Sequence, residues 1–314
     1  MLNIALKIIA GFNWLKHRET PLPVLYFHRV MSSPSPYCPD DWTTESFYKL
    51  VAGLNNYFTI MPLSYALKLQ ADRALPANPL CITFDDGYID NYTNAVPILE
   101  SFNIKASFFI ATLGTQRGFL WNDELAHTLI KTTNNNLQFL NKSYDLSSEQ
   151  LKANTYLDLV SFLKTQPNIK RDNYLATLRE ILGEYSTPRC MMNAKQLNAL
   201  QQKGHDIGAH SHTHSILSYQ DTDTAFSEIS ESVTQLNQIL SEPVSIFAYP
   251  NGWYGRDFNN EHEEMLHQLG IKYGVSTNDG GITTKTKPTR LPRFMPHRKQ
   301  FIPFCLSIQK IAGE

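Results

Sequence analysis

The sequence predicts an α/β fold, a barrel of about seven β/α units, complete or incomplete, with a helical insertion. Three observations predict it. Short apolar runs such as Val24-Leu25-Tyr26-Phe27-His28 and residues 80–84 read as buried strands, without the polar alternation of a half-exposed sheet. Helical periodicities separate these runs along most of the chain. Residues 119–190 break that rhythm with several helical patterns in succession.

Taken in order, the first strand follows Pro21 and Pro23, and Pro34, Pro36 and Pro39 mark the loop after it. A helix is predicted over 45–54, with Phe47, Leu50, Val51 and Leu54 inward. The strand at 80–84 is followed by a helix over 94–102 and a strand over 105–110. In the insertion, helices are predicted after Asn122 (Leu125, Leu129), after Ser147 (Leu151, Leu159, Leu163) and from Asp172 to Leu182, where Gly183 ends the last. Ser147 and Gln150 form a capping box, and Asn134-Asn135-Asn136 form a loop. The insertion is too short for an independent core, so it belongs to the surrounding domain. Alternation then resumes. Asn193 caps a helix ending at Gly204, and residues 205–209 form a strand. An amphipathic helix turns Phe226, Ile229, Val233, Leu236 and Leu240 inward. Strands follow at 245–249, 273–276 and 290–294, with a helix ending at Gly270 between the first two. Barrels of this kind gather their chemistry at the C-terminal ends of the strands.

Composition narrows the function. The 314 residues suit one large α/β domain or two small ones, and 42% hydrophobic content supplies a sizeable core. The 28 basic and 29 acidic residues nearly cancel and form no like-charge blocks, so no nucleic-acid partner is expected. Cys38, Cys81, Cys190 and Cys305 are far apart, which argues against a zinc knuckle or a disulfide scaffold and fits a reducing compartment. In the N-terminal segment, residues 2–12 are apolar but interrupted by Lys7. They lack a basic n-region and a cleavage site, and are too short to span a bilayer. As a helix they put Leu2, Leu6 and Ile9 on one face, ahead of Trp14, Lys16, His17 and Arg18. Two readings stay open: peripheral membrane contact through residues 2–18, or a helix packed on its own domain. The expected location is cytoplasmic, in solution or at the inner membrane surface. Nothing in the sequence fixes an oligomeric state.

Asp85 and Asp86 close the strand at 80–84, next to Gly87. Two adjacent carboxylates at the end of a buried strand repel each other and are costly to desolvate, and a bound cation would relieve both problems. Gly208-Ala209-His210-Ser211-His212-Thr213-His214 also follows a predicted strand. On one helical turn, His210 and His214 would share a face with Cβ atoms ~5–6 Å apart, while His212 would point away. Two imidazoles and a carboxylate make a metal site with open positions. The same donor set serves non-haem Fe(II) oxygenases, which need no second carboxylate at the strand end.

Thr83-Phe84-Asp85-Asp86-Gly87 and His210-Ser211-x-x-His214 resemble the first two motifs of the polysaccharide deacetylase family, metal-dependent carbohydrate esterases with a distorted (β/α) barrel. The resemblance runs from about residue 22 to 296, with the insertion at 119–190 inside it. It implies a catalytic domain over 21–314 after the N-terminal segment 1–20, in a distorted (β/α)7 barrel. It implies hydrolysis of N-acetyl, or less often O-acetyl, groups on sugars. It assigns Asp86, His210 and His214 to one divalent ion, zinc first, with cobalt, nickel or manganese as alternatives. Asp85 becomes the general base, which suits a carboxylate kept off the ion. Phe247-Ala248-Tyr249-Pro250-Asn251-Gly252 falls where the third motif is expected, but Ala248 replaces the Arg of Arg-x-Pro-Tyr and Asn251 replaces the Tyr. Asn251 remains the expected oxyanion and substrate position through its backbone N–H, with Tyr249 beside it. Arg293 is the candidate to replace the missing Arg at Asp85; the alternative is an ordinary surface salt bridge. Tyr26-Phe27-His28-Arg29-Val30 is similar to the Tyr-His-x-Val segment of the poly-N-acetylglucosamine deacetylase branch. That makes His28 the expected general acid, with His297 as runner-up. The family's fourth motif, with its Trp, is not evident near Asp279. The expected partner is an acetylated glycan: an exopolysaccharide, peptidoglycan or a lipid-linked sugar. The alternatives are a deformylase or deacetylase of a lipid-linked sugar and a non-catalytic carbohydrate-binding relative.

Overall fold

The computed structural model describes residues 21–296. The expected helix within residues 2–18, the runner-up acid His297 and Cys305 lie outside the described residues. In chain order the elements are β1 (Val24–Phe27), β2 (Val30–Met31), β3 (Trp42–Thr43), α1 (Thr44–Asn55), β4 (Thr59–Ile60), α2 (Leu63–Ala71) and β5 (Pro79–Phe84). A π-helical turn at Asn91–Ala95 leads into α3 (Val96–Ser101), then β6 (Ser107–Ile110) and α4 (Thr112–Arg117). The insertion supplies α5 (Trp121–Lys131), β7 (Asn136–Phe139), β8 (Lys142–Asp145), α6 (Glu149–Leu163) and α7 (Asn168–Leu182). The last part holds α8 (Ala194–Gln202), β9 (Asp206–Ala209), α9 (Thr222–Ile239), β10 (Ile246–Ala248), α10 (Asn260–Gln268) and β11 (Tyr273–Val275). None of the described helices is long and apolar enough to cross a membrane.

Six parallel strands run in the order β1-β5-β6-β9-β10-β11, and β4 pairs with the start of β5. Their side chains alternate between two buried clusters, as the period-2 pleat requires. Leu25, Phe27, Ile82, Phe84, Phe108, Ile207 and Phe247 face one core, where Phe84 stacks on Phe108 with centroids 5.0 Å apart. Val24, Cys81, Phe109, Ile246, Ala248 and Val275 face the other. The strand expected at 290–294 does not form as a regular strand. Leu291 bridges Val275 and Phe294 bridges Leu25, each at one isolated point. Pro292 stands between them, and without an N–H it cannot continue the ladder. An irregular segment therefore joins β11 to β1 and occupies the seventh position of a distorted, incomplete barrel.

The insertion packs a hydrophobic cluster of its own from Trp121, Leu125, Leu137, Phe139, Leu159 and Leu175, with Tyr37. It also contains an element the sequence reading missed. Asn136, expected in a loop, begins an antiparallel hairpin of β7 and β8. Each strand has only four residues, and the tip uses Leu140 at φ 53° rather than a glycine, so the usual hairpin signal is absent. The cap of α6 is Ser148, whose Oγ accepts the Leu151 N–H at 3.3 Å, so the expected Ser147 box is displaced by one residue. On α9, Phe226 is only partly buried, and Ala225, Ile229 and Val233 hold the inner face.

His205, just ahead of β9, is only 2% exposed, and its Nδ1 accepts the Ala106 N–H at 3.1 Å. Burial, reinforced by Lys105 and Lys203 and opposed by Glu100, pushes its pKa down to about 4 from 6.5. A histidine lowered on folding adds stability above its unfolded pKa, and that stability is lost as pH falls towards the folded value. Urea titrations should therefore show the wild type losing stability between pH 6.5 and about 4, with His205→Gln flattening that part of the profile.

Candidate active site

Strand β5 delivers both carboxylates. The Asp85 N–H donates to Phe27 O at 2.8 Å, which extends the β1–β5 ladder one residue and fixes the start of the turn. Asp86 leaves the strand at φ 74°, a left-handed conformation that costs a non-glycine residue ~1–2 kcal/mol. The Ala111 N–H holds it there by donating to Asp86 O at 3.1 Å. Gly87 follows at φ +93°, where an added Cβ would also press on Ile110 Cδ1 at 3.1 Å.

His210 lies one residue beyond β9, and its N–H donates to Ile110 O at 3.0 Å. The pair His210 and His214 is not on a helical turn, as the spacing suggested. Ser211 at φ 60° and His214 at φ 59° fold the segment into a loop that brings the two rings to a centroid distance of 5.0 Å. Asp86 Oδ1 lies 3.1 Å from His214 Nε2 and 3.4 Å from His210 Nε2. Asp86, His210 and His214 thus offer ligand atoms all within 4.8 Å of one another. His212 turns away, as expected, to Thr112 Oγ1 at 2.9 Å and Glu231 Oε1 at 3.3 Å.

The local chemistry fits a cation among these three residues. His210 Nδ1 donates to the Ala248 carbonyl at 2.7 Å, and since a carbonyl only accepts, the Nε2 of the neutral ring carries a lone pair. That lone pair faces Asp86 Oδ1, a buried atom with no hydrogen-bond partner among the described residues. Two lone-pair donors facing each other in a buried site need a positive charge between them. Burial works to raise the Asp86 pKa; with the imidazoles protonated, His214 and His210 bring it well below the usual carboxylate range, and a cation in place of those protons would act in the same direction. The carboxylate is ionised and ready to ligate.

Asp85 is held separately. Arg293 donates from Nη1 to Oδ1 at 2.7 Å and from Nη2 to Oδ2 at 2.8 Å. Arg293 is fully buried at 0% exposure, and it also donates to Thr83 Oγ1 and Ser276 O, both at 3.1 Å. This is not a surface salt bridge. Burial pushes the Asp85 pKa up, yet Arg293, with His210 and His28, brings it below its ordinary value.

The remaining expected residues divide. His28 lies just past β1, edge-on to Tyr26 at 5.8 Å, within electrostatic reach of Asp85, Asp86 and Asp41. Asn251 takes φ 59°, its carbonyl accepts from Thr277 Oγ1 at 2.6 Å, and its N–H has no partner among the described residues. Tyr249 does not come to the site. Its ring stacks on Phe258 at 3.6 Å, its hydroxyl donates to Thr289 O at 3.1 Å, and its N–H donates to Val275 O. Strand alternation explains this, because Tyr249 shares the parity of Phe247 and faces the same core. The sequence reading also missed Asp41, a carboxylate raised by burial and countered by His28 and Arg29. It stands in a Pro-rich loop with no motif around it, so only the fold reveals that it lies within electrostatic reach of His28.

Removing Arg293 should leave a buried unpaired carboxylate. Arg293→Met is expected to lower stability at neutral pH by about 3–5 kcal/mol in chemical denaturation, and Asp85→Asn in the same chain should recover part of the loss. The deficit should shrink as pH falls, starting above the ordinary carboxylate range, where the Asp85 left unpaired and raised by burial takes up a proton, and ending below it, where the wild-type carboxylate protonates too.

Comparisons with known proteins bear on the family and the fold. The profile of the polysaccharide deacetylase family matches residues 72–274, a span that includes Asp85, Asp86, His210, His214 and Asn251 but not His28 or Arg293. YxkH of Bacillus subtilis (strain 168), a curated protein named for that family, is 35% identical over 98 residues. The match covers 31% of this chain and about a third, 34%, of that relative. Among solved structures, the Streptococcus pyogenes deacetylase PplD in complex with acetate superposes with a TM-score of 0.59 at 18% identity, covering 88% of this chain and 92% of that one. IcaB from Ammonifex degensii gives a TM-score of 0.58 at 16% identity, covering 92% and 97%. At such identities the structural likeness establishes the fold.

Proposed function

The chain belongs to the polysaccharide deacetylase family, and from that premise we propose that it hydrolyses N-acetyl groups of an amino-sugar glycan in a metal-dependent reaction. One observation carries the reading: two adjacent carboxylates have different fates. Asp86 faces two imidazole nitrogens with an unpartnered oxygen, while Asp85 is gripped by Arg293. A divalent ion on Asp86, His210 and His214, zinc in our reading of two nitrogens and a carboxylate, supplies a Lewis acid for the acetamide carbonyl and lowers the pKa of water.

The protein's own groups do the rest. Asp85, ionised and kept off the ion, accepts the proton of the attacking water. Arg293 fixes the plane of that carboxylate through its two-pronged contact. The Asn251 N–H, without a partner among the described residues, is the donor we assign to the developing oxyanion, a role that needs no particular side chain. His28 donates the proton that the departing amine requires. The similarity of the His28 segment to the poly-N-acetylglucosamine deacetylase branch supports a glucosamine-type sugar as substrate.

Acetate release tests this directly. Zinc-loaded protein should release acetate from N-acetylglucosamine oligomers, peptidoglycan fragments or lipid-linked sugars, and chelator treatment should stop it. Asp85→Asn should still bind zinc but lose about 10²-fold or more in rate. No acetate from any of the three substrate classes would sink the reading, and full activity in Asp85→Asn would remove Asp85 as the base.

A further inference from the structure

The helical insertion touches both halves of the metal site. Its neck lies against the carboxylate turn: the Met192 N–H donates to Gly87 O at 3.0 Å, and the Ile89 N–H donates to Cys190 O at 2.7 Å. Its last helix, α7, begins beside the histidine loop. Asn168 Nδ2 donates to Glu228 Oε1 at 2.8 Å, and Asn168 Oδ1 accepts from Ser215 Oγ. Arg171, only 4% exposed, donates to Ser215 Oγ at 3.2 Å and Thr213 Oγ1 at 3.3 Å. Glu228, on α9 and 5% exposed, accepts the N–H groups of His212 and Thr213 at 3.0 and 2.8 Å and the Thr213 hydroxyl at 2.7 Å.

A buried arginine and a buried glutamate are expensive to desolvate, and apolar packing would stabilise the fold at least as well. Arg171 and Glu228 meet at Thr213, between the two histidines, and Asn168 and Arg171 meet at Ser215, the residue after His214; Arg171 also donates to its neighbour Asp172 at 3.3 Å. The 210–215 segment holds two non-glycine residues, Ser211 and His214, in left-handed backbone. The chemistry assigned above uses none of these supporting groups.

We propose that this network is a positioning device: α7 of the insertion, with Glu228 of α9, locks the 210–215 loop in its ligand-presenting conformation before an ion binds. Arg171 and Glu228 are positioning residues that act through Thr213 and Ser215. The proposal rests on reading Asp86, His210 and His214 as a metal site, and it is independent of what that site hydrolyses. A loop ordered during folding has no ordering cost left to meet when the ion arrives, so its affinity is higher. Outer-shell partners of metal ligands typically contribute 10–100-fold in affinity.

Zinc titration of the metal-free protein against a chromogenic chelator reads this without any substrate. Arg171→Met keeps much of the stem packing and removes the donors, and should weaken zinc binding about 10-fold or more. Thr213→Val, a near-isosteric change that removes the hydroxyl shared by Arg171, Glu228 and Ser215, should weaken it in the same direction. Leu178→Ala, in the insertion's own core, should lower the melting temperature and leave zinc affinity unchanged. A lowered melting temperature with wild-type zinc affinity in Arg171→Met would reduce Arg171 to ordinary packing and overturn the proposal. If Arg171→Met does not fold, wild-type affinity in Thr213→Val overturns it equally. A wild type that binds no zinc defeats this proposal, whereas zinc binding without acetate release defeats only the functional reading.

Discussion

The pairing of Arg293 with Asp85 governs how the rest of the site can be built. Two adjacent carboxylates cannot both be left ionised and unpaired in a buried turn. The fork from Arg293 neutralises one of them in place, and so leaves the other free to face the imidazoles. The guanidinium comes from the segment that joins β11 to β1, with bridges at Leu291 and Phe294 on either side of it. The same irregular segment that bridges the two edge strands therefore also neutralises the carboxylate. A regular strand in that position would add ladder bonds, whereas the irregular one brings a fully buried arginine to Asp85, Thr83 and Ser276.

Backbone strain collects around the same point. Asp86, Ser211, His214 and Asn251 all adopt positive φ without being glycine. Such conformations persist where their surroundings over-determine them. Here the restraints are specific. Ala111 N–H holds Asp86, Thr112 N–H holds the Ser211 carbonyl at 3.3 Å, and Thr277 Oγ1 holds the Asn251 carbonyl. These donors sit on the turns that follow β6 and β11, so neighbouring strand ends restrain one another across the mouth of the sheet.

Most of the fold was legible because its strands are fully buried and its helices have clear inner faces. The carboxylate pair and the histidine pair were legible because both follow such strands. What stayed hidden depends on tertiary context. The β7–β8 hairpin is short and lacks a glycine turn. The loop geometry of His210 and His214 shares its residue spacing with one helical turn, so the spacing alone does not separate the two. Tyr249 was placed at the site by adjacency, but strand parity sends its ring to the core. Asp41 and the Asn168–Arg171–Glu228 cluster meet their partners only after folding, from loops and helices with no motif of their own.

The departures at Ala248 and Asn251 look like losses only if side chains are counted. Ala248 contributes its carbonyl, which accepts the His210 Nδ1 proton and thereby fixes the tautomer that presents Nε2 to Asp86. Asn251 contributes a backbone N–H that has no other partner among the described residues. Both backbone groups are available with any side chain that tolerates the local φ and the available space. The missing arginine is the departure that a backbone group cannot make good, and Arg293 brings a guanidinium to Asp85 from elsewhere in the sequence. A motif can therefore lose its arginine and leave the electrostatics of the site intact, provided the fold brings another cation to the same carboxylate.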